Sequence, residues 1–196
     1  MTEYGPEVTE RFHGTPEQMA SAVVGEPPTR WSSVQIENYD PVWVERFRAQ
    51  EALIRGALGG AVVELEHVGS TSVPGLAAKP IIDIDLTLEN TVDEDQYVPA
   101  LESAGFRLLL REPEWHQHRM LVDAEEDVHL HVWPSGAPEA IRHRLFRDWL
   151  RTHPEDRDLY AATKNRIARE TIDRPGDYTL AKSDVIDAIF ERIFQA

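Results

Sequence analysis

Apolar and polar residues alternate with a period of two through IIDIDLTL, residues 81–88. Successive side chains on a strand point to opposite faces, so Ile82, Ile84, Leu86 and Leu88 fill one face while Asp83, Asp85 and Thr87 share the other. VVELEHV (62–68), FRLLL (106–110), HQHRMLV (116–122) and DVHLHVW (127–133) read in the same way between Gly, Pro and polar turns, which predicts five strands. Helical spacing takes over elsewhere. Asp40-Pro41 reads as an N-cap followed by proline at the first helical position, with Trp43, Phe47, Ile54 and Leu58 along one face and Gly59-Gly60 as the stop. Tyr97, Ala100, Leu101 and Ala104 make a short stripe closed by Gly105. From Pro138 onward Ile141, Leu145 and Trp149, then Tyr160 to Ile167, then Ile186, Ile189, Phe190 and Ile193 predict three helices. The expected fold is α+β: a mixed central sheet of about five strands flanked by helices, with C-terminal helices. Residues 1–36 are polar, proline-interrupted and weakly periodic, and read as an N-terminal extension to a domain spanning 37–196.

Composition narrows the function classes. The 196 residues suit one well-buried domain and are too few for two full ones. Asp and Glu total 35 against 20 Lys and Arg, a formal charge of −15 that repels nucleic-acid backbones and anionic membrane surfaces. Bulk nucleic-acid and membrane partners are therefore disfavoured. Cysteine is absent, which removes disulfides and thiolate metal sites. With no long apolar run and no signal-peptide pattern, a cytoplasmic location is the default expectation.

Asp83 and Asp85 carry the sharpest chemistry. Two like charges on one strand face call for water or a cation between them, and paired carboxylates on rigid backbone suit Mg²⁺ or Mn²⁺ held with substrate phosphates. Gly69, Ser70, Thr71 and Ser72 follow a strand end with a flexible backbone, three hydroxyls and a run of N–H donors, the chemistry of a phosphate cradle. It is not a Walker loop, because Gly75 is followed by Leu76 and Lys79 comes later. Alone, such a segment is most often an ordinary turn; ahead of Asp83-Ile84-Asp85 it becomes specific.

Asp127, His129 and His131 alternate on one predicted strand, and His116 and His118 on the one before it. His129 and His131 are the candidates for metal ligation or proton transfer, while His116 and His118 read equally well as exposed edge residues. Lys79, Arg119, Arg147, Lys164 and Lys182 are the cations available to neutralise a triphosphate, each with a solvated surface charge as its common alternative. Phe146, Trp149 and Leu150 read as helix packing, and Glu112, Glu114, Glu125 and Glu126 as a solvated face.

NYDPVW, EHVGSTSVPGLAAKPIIDID, HLHVW, LFRDWLRTHP, YAATKNRIA and YTLAKSDVI, in that order from Asn38 onward, resemble the GrpB family. That family is related to the nucleotidyltransferase fold of DNA polymerase beta-type enzymes and is found fused behind dephospho-CoA kinase in some bacteria. The resemblance implies that Gly69 and Ser70 hold a nucleoside triphosphate such as ATP, that Asp83 and Asp85 hold one or two Mg²⁺ ions, and that a third acid follows on a later strand. Here that strand offers His129-Leu130-His131, with Asp127 two residues earlier, so a histidine or a shifted acid must take the third place. The implied activity is transfer of a nucleoside monophosphate to a small-molecule or protein acceptor, with Asp83, Asp85 and His131 catalytic and Lys79, Arg147, Lys164 and Lys182 offsetting phosphate charge. A non-catalytic nucleotide-binding or partner-stabilising module and a metal-dependent phosphohydrolase are the alternatives.

Overall fold

A computed structural model describes residues 4–12, 15–27, 35–171, 178 and 181–196. The chain forms α1 (Pro6–Thr9), α2 (Pro16–Ser21), α3 (Val42–Leu58), β1 (Glu64–Val68), β2 (Ile82–Leu88), α4 (Val98–Ser103), β3 (Arg107–Glu112), β4 (His118–Val122), β5 (Val128–Pro134), α5 (Pro138–Thr152), α6 (Pro154–Glu170) and α7 (Ser183–Gln195). The five strands make one sheet in the order β1-β2-β5-β4-β3. β2 and β5 run parallel, and the other neighbours are antiparallel. This is the expected α+β fold with a mixed sheet. Among the described residues, no helix is long and apolar enough to cross a membrane.

The alternation in IIDIDLTL separates two environments. On one face Ile82, Ile84, Leu86, Leu121, Leu130 and Val132 are buried with Trp43 and Ile54 of α3 and Leu101 of α4. Burial of a side chain of this size contributes about 1.5–3 kcal/mol, so this layer anchors the strand register. The opposite face carries Asp83, Asp85, His129, His131 and Trp133 toward the C-terminal helices. α5 is tied over β1 there by Arg144–Glu64 and Arg147–Glu66 pairs, each 2.6 Å long. Proline starts both α5 and α6, and His153 between them leaves the helical region at φ −119°, ψ 86°, as a residue preceding proline is driven to do.

Part of the N-terminal segment lies on the domain. Val23 bridges Leu110 at the outer edge of β3, with Val24 N donating to Leu109 O and Arg111 N to Ala22 O, both at 2.8 Å. Farther upstream, Arg142 Nη1 donates to Val8 O at 2.6 Å.

Three expectations need correction. His116 and Gln117 have φ of 51° and 55°, so they form a turn and β4 begins only at His118. Arg119 faces away from the acidic face of β2; its Nε donates to Glu94 Oε1 at 2.6 Å. Glu112 and Glu126 do not belong to a solvated face: Glu112 meets His118, and buried Glu126 pairs with Arg107, each at 2.7 Å.

Glu94 gathers Arg111 Nε at 2.7 Å and Arg119 Nε at 2.6 Å on one carboxylate oxygen. The Arg111 hydrogen bond, reinforced by Arg119 against the opposing effect of burial, lowers its pKa from 4.5 to about 2. A carboxylate whose pKa is depressed by folding stabilises fully above its unfolded pKa and loses that contribution as pH falls toward the folded value. Glu94→Gln should therefore cost about 1–2 kcal/mol in urea denaturation at neutral pH. The gap from wild type should narrow below pH 4.5 toward about 2; a gap unchanged across that window would refute the assignment.

Candidate functional site

β1 ends at Val68, which pairs with Asp83 of β2. Gly69 then turns the chain at φ 65°, ψ −174°, a region open essentially to glycine. A Cβ at this position would also strike the Asp83 carboxylate. The turn continues as a 3-10 segment, Ser70–Ser72. Ser72 Oγ donates to Gly69 O at 2.6 Å, and Thr71 Oγ1 donates to Ile81 O at 2.9 Å and lies 3.1 Å from His67 Nε2. These two predicted phosphate ligands thus close the loop. Ser70 is different, because it lines a cavity of about 380 Å³ together with Asp83, His129, His131, His143 and Lys182. Lys164 Nζ donates to Ser70 Oγ at 2.9 Å and to Ala77 O at 2.6 Å, and Tyr160 lines the same cavity as Ser70.

The parallel register sets Asp83 beside His129 and Asp85 beside His131. Asp83 Oδ1 is 3.3 Å from His129 Nδ1 and 4.0 Å from His131 Nε2. One ligand atom from each of the three residues falls within 4.8 Å of the others, the geometry of a candidate cation site. Burial would push the Asp83 carboxyl up, but hydrogen bonds and charge from the two histidines outweigh it and hold the group far below the usual range.

Behind the cluster, His131 Nδ1 lies 3.0 Å from His118 Nε2, and His118 Nδ1 lies 2.7 Å from Glu112 Oε2. Burial keeps His118 neutral, since it pushes the pKa well below 6.5. With Glu112 accepting from His118 Nδ1–H, His118 Nε2 accepts from His131 Nδ1–H. His131 Nε2 is then the ring atom facing Asp83, where it can carry a proton for the carboxylate or, once deprotonated, a cation.

Asp85, the predicted second metal ligand, lies outside this three-residue cluster and meets other partners. Only 2% exposed, it accepts from Trp133 Nε1 at 2.9 Å and from His143 Nδ1 at 2.9 and 3.1 Å. Burial opposes charge on His143, yet the Asp85 carboxylate more than compensates and raises its pKa to about 9. Both Asp85 oxygens are committed to an imidazolium that lines the cavity.

The predicted cations divide similarly. Lys164 is 2% exposed rather than solvated. Lys79 and Lys182 place their ammonium groups 4.7 and 4.6 Å from the Tyr178 ring, and only Lys182 of the two lines the cavity. Arg147 reaches the wall, but its guanidinium is engaged by Glu66 at 2.6 Å and Asp148 at 2.7 Å. Asp127 precedes β5 and pairs with Arg46 at 3.3 Å, outside the Asp83 cluster. Phe146 and Leu150 do pack among the helices, yet with Ile186 and Phe190 they also give the cavity an apolar wall.

Sequence reasoning missed His143, Tyr160 and the linking role of His118. The alternation that marked His129 and His131 continues to Trp133, so that residue's shared face was available. Nothing local to α5 or α6 marks His143 or Tyr160.

A family model described as GrpB protein matches residues 33–192, the family the motifs resemble. The chain is 42% identical over 178 residues to a UPF0157 protein of Halalkalibacterium halodurans, covering 91% of each. It is 29% identical over 160 residues to a dephospho-CoA kinase of Mycolicibacterium paratuberculosis, covering 68% of this chain and 39% of that one. Among solved structures it is similar to the conserved protein GrpB from Enterococcus faecalis, with TM-score 0.73, 29% identity, and coverage of 82% of this chain and 98% of that chain.

Gly69→Ala tests the close approach of the turn to Asp83. The strained φ should cost about 1–3 kcal/mol in urea denaturation. The Asp83 side chain must also move, so the resonances of His129 and His131 should shift in heteronuclear NMR spectra. Wild-type stability and unchanged histidine shifts would remove the constraint.

Proposed function

Because the chain belongs to the GrpB family, we propose that it is a metal-dependent nucleotidyltransferase, moving a nucleoside monophosphate from a nucleoside triphosphate to a small-molecule or protein acceptor. The observation that carries this reading is the packing of the Gly69 turn against Asp83, through which Ser70 and the Asp83–His129–His131 cluster open into one cavity. A phosphate group bound beside Ser70 therefore sits next to the candidate cation site.

Asp83, His129 and His131 would hold one divalent cation, and the orientation of His131 by His118 and Glu112 fits that role. A donor set of one carboxylate and two imidazoles suits Mn²⁺ or Zn²⁺ better than Mg²⁺, which prefers oxygen ligands. Such a cation supplies Lewis-acid stabilisation of phosphoryl charge. Ser70 and Lys182 grip phosphate oxygens, with Lys164 supporting Ser70 from behind. The protonated His143, held by Asp85, adds a positive donor to the cavity wall. The apolar side formed by Phe146, Leu150, Ile186 and Phe190 accommodates an uncharged portion of a ligand. A net charge of −15 favours a neutral or cationic acceptor over a polyanion.

The two imidazoles also support a second reading, metal-dependent phosphohydrolysis, in which water is the acceptor. Incubation with each nucleoside triphosphate, Mn²⁺, Mg²⁺ or Zn²⁺, and a metabolite extract separates the possibilities. Pyrophosphate together with a nucleotidyl mass adduct supports transfer. Phosphate release with water alone supports hydrolysis, and metal-dependent binding without product supports a binding module.

The division of labour between the two aspartates gives a further test. In calorimetric titrations with Mn²⁺, Asp83→Asn should weaken binding by about tenfold or more, since loss of a ligand costs at least as much as loss of its supporting partner. Asp85→Asn should leave the affinity within a few-fold while abolishing the raised pKa of His143 in NMR titrations. Equal losses of Mn²⁺ affinity would restore Asp85 as a ligand.

A further inference from the structure

Ser70 occupies a strand–turn–helix corner: β1 stops at Val68, Gly69 takes its positive φ, and the 3-10 segment begins with Ser70. Corners of this kind lift a side chain clear of the backbone and into a cavity. Of the three hydroxyls in the turn, those of Thr71 and Ser72 donate to backbone carbonyls, whereas Ser70 Oγ faces Lys164 Nζ at 2.9 Å. Lys164 is buried and makes no ion pair with a carboxylate among the described residues. Its other contacts are the Ala77 carbonyl at 2.6 Å and the Tyr160 ring, 4.7 Å from Nζ. A buried lysine amine with no carboxylate partner among the described residues, hydrogen-bonded to a cavity serine, has the arrangement of a base and its nucleophile.

We propose that Ser70 is a nucleophile and Lys164 its proton acceptor, the pair forming a covalent bond to an electrophilic phosphorus centre bound in the cavity. The Ser70 Oγ–P bond forms, the bond from phosphorus to the leaving group breaks with its electron pair departing on that group, and the serine proton passes to Lys164 Nζ. Phosphorus is favoured over an acyl carbon because Lys182 and Arg11 line the same cavity and complement charged phosphoryl oxygens. Burial, and then the charge of Lys182, lower the Lys164 pKa to about 7 against the opposing charge of Asp83, so a neutral amine is present at physiological pH. Among the described residues, Lys182 just before α7, Asp83 on β2 and Tyr160 one turn earlier on α6 are the titratable groups that act on it. This chemistry goes beyond nucleotidyl transfer and needs neither cation nor nucleotide.

The test uses an alkyl fluorophosphonate on the full chain with chelator and no nucleotide, so that its failure says nothing about the metal-dependent reading. Intact mass and peptide mapping should show one adduct on Ser70, with loss of fluoride, absent in Ser70→Ala. Lys164→Met should slow labelling at least tenfold, and Lys164→Arg should slow it equally, because arginine keeps the charge but cannot accept the proton. In the wild type alone, the labelling rate should fall about tenfold per pH unit below about 7, following the neutral fraction of Lys164. No adduct on Ser70, wild-type labelling of Lys164→Arg, or a wild-type rate flat between pH 5 and pH 8, on the order of the range that spans that pKa, would each overturn the proposal.

Discussion

The parallel pairing of β2 with β5 is the constraint on which the rest of the cavity depends. It sets Asp83 beside His129 and Asp85 beside His131, and aligns Thr87 with Trp133. A slip of one residue would exchange the two faces of a strand and put the carboxylates into the apolar layer. Ile82, Ile84 and Leu86 on β2 and Val128, Leu130 and Val132 on β5 prevent that slip, since they are buried under α3 and α4. The apolar face thereby fixes the geometry of the polar one.

Two aspartates on one strand face acquire different chemistry from their neighbours. Asp83 is pressed by the Gly69 backbone and met by two histidines at the cavity. Asp85, two residues farther on, is enclosed by Trp133 and His143 and neutralised by an imidazolium. Separate surroundings give like groups separate chemistry: one carboxylate faces the cavity beside two histidines, and the other holds a cavity-lining imidazolium.

Charge is arranged in the same way at a larger scale. The chain carries −15 overall, yet Lys164, Lys182, Arg142 and Arg147 converge on the C-terminal side of the sheet. Arg147 is tied to carboxylates, and Arg142 lies 3.9 Å over the Phe190 ring. Burial and then the charge of Lys182 lower the Lys164 amine, while burial and then the charges of Lys79 and Arg11, against that of Asp83, lower Lys182. The acidic exterior repels large anions, while the Lys182 amine remains on the cavity wall.

Local pattern determined the strands, the first long helix and the apolar–acidic division of β2, because periods of two and 3.6 are read directly from neighbouring residues. It also marked Gly69, Ser70, Asp83, His129 and His131, whose turn and strand spacing is visible within short stretches. The strand start at His118 was obscured because a positive-φ turn at His116 and Gln117 keeps the same alternation of residue types. Which partners these groups meet was decided by tertiary structure. His143 reaches Asp85 across 58 positions, Lys164 reaches Ser70 across 94, and Arg147 reaches Glu66 across 81. No local periodicity encodes contacts at such separations; they exist because α5 and α6 fold back over the polar face of a sheet whose other face is buried.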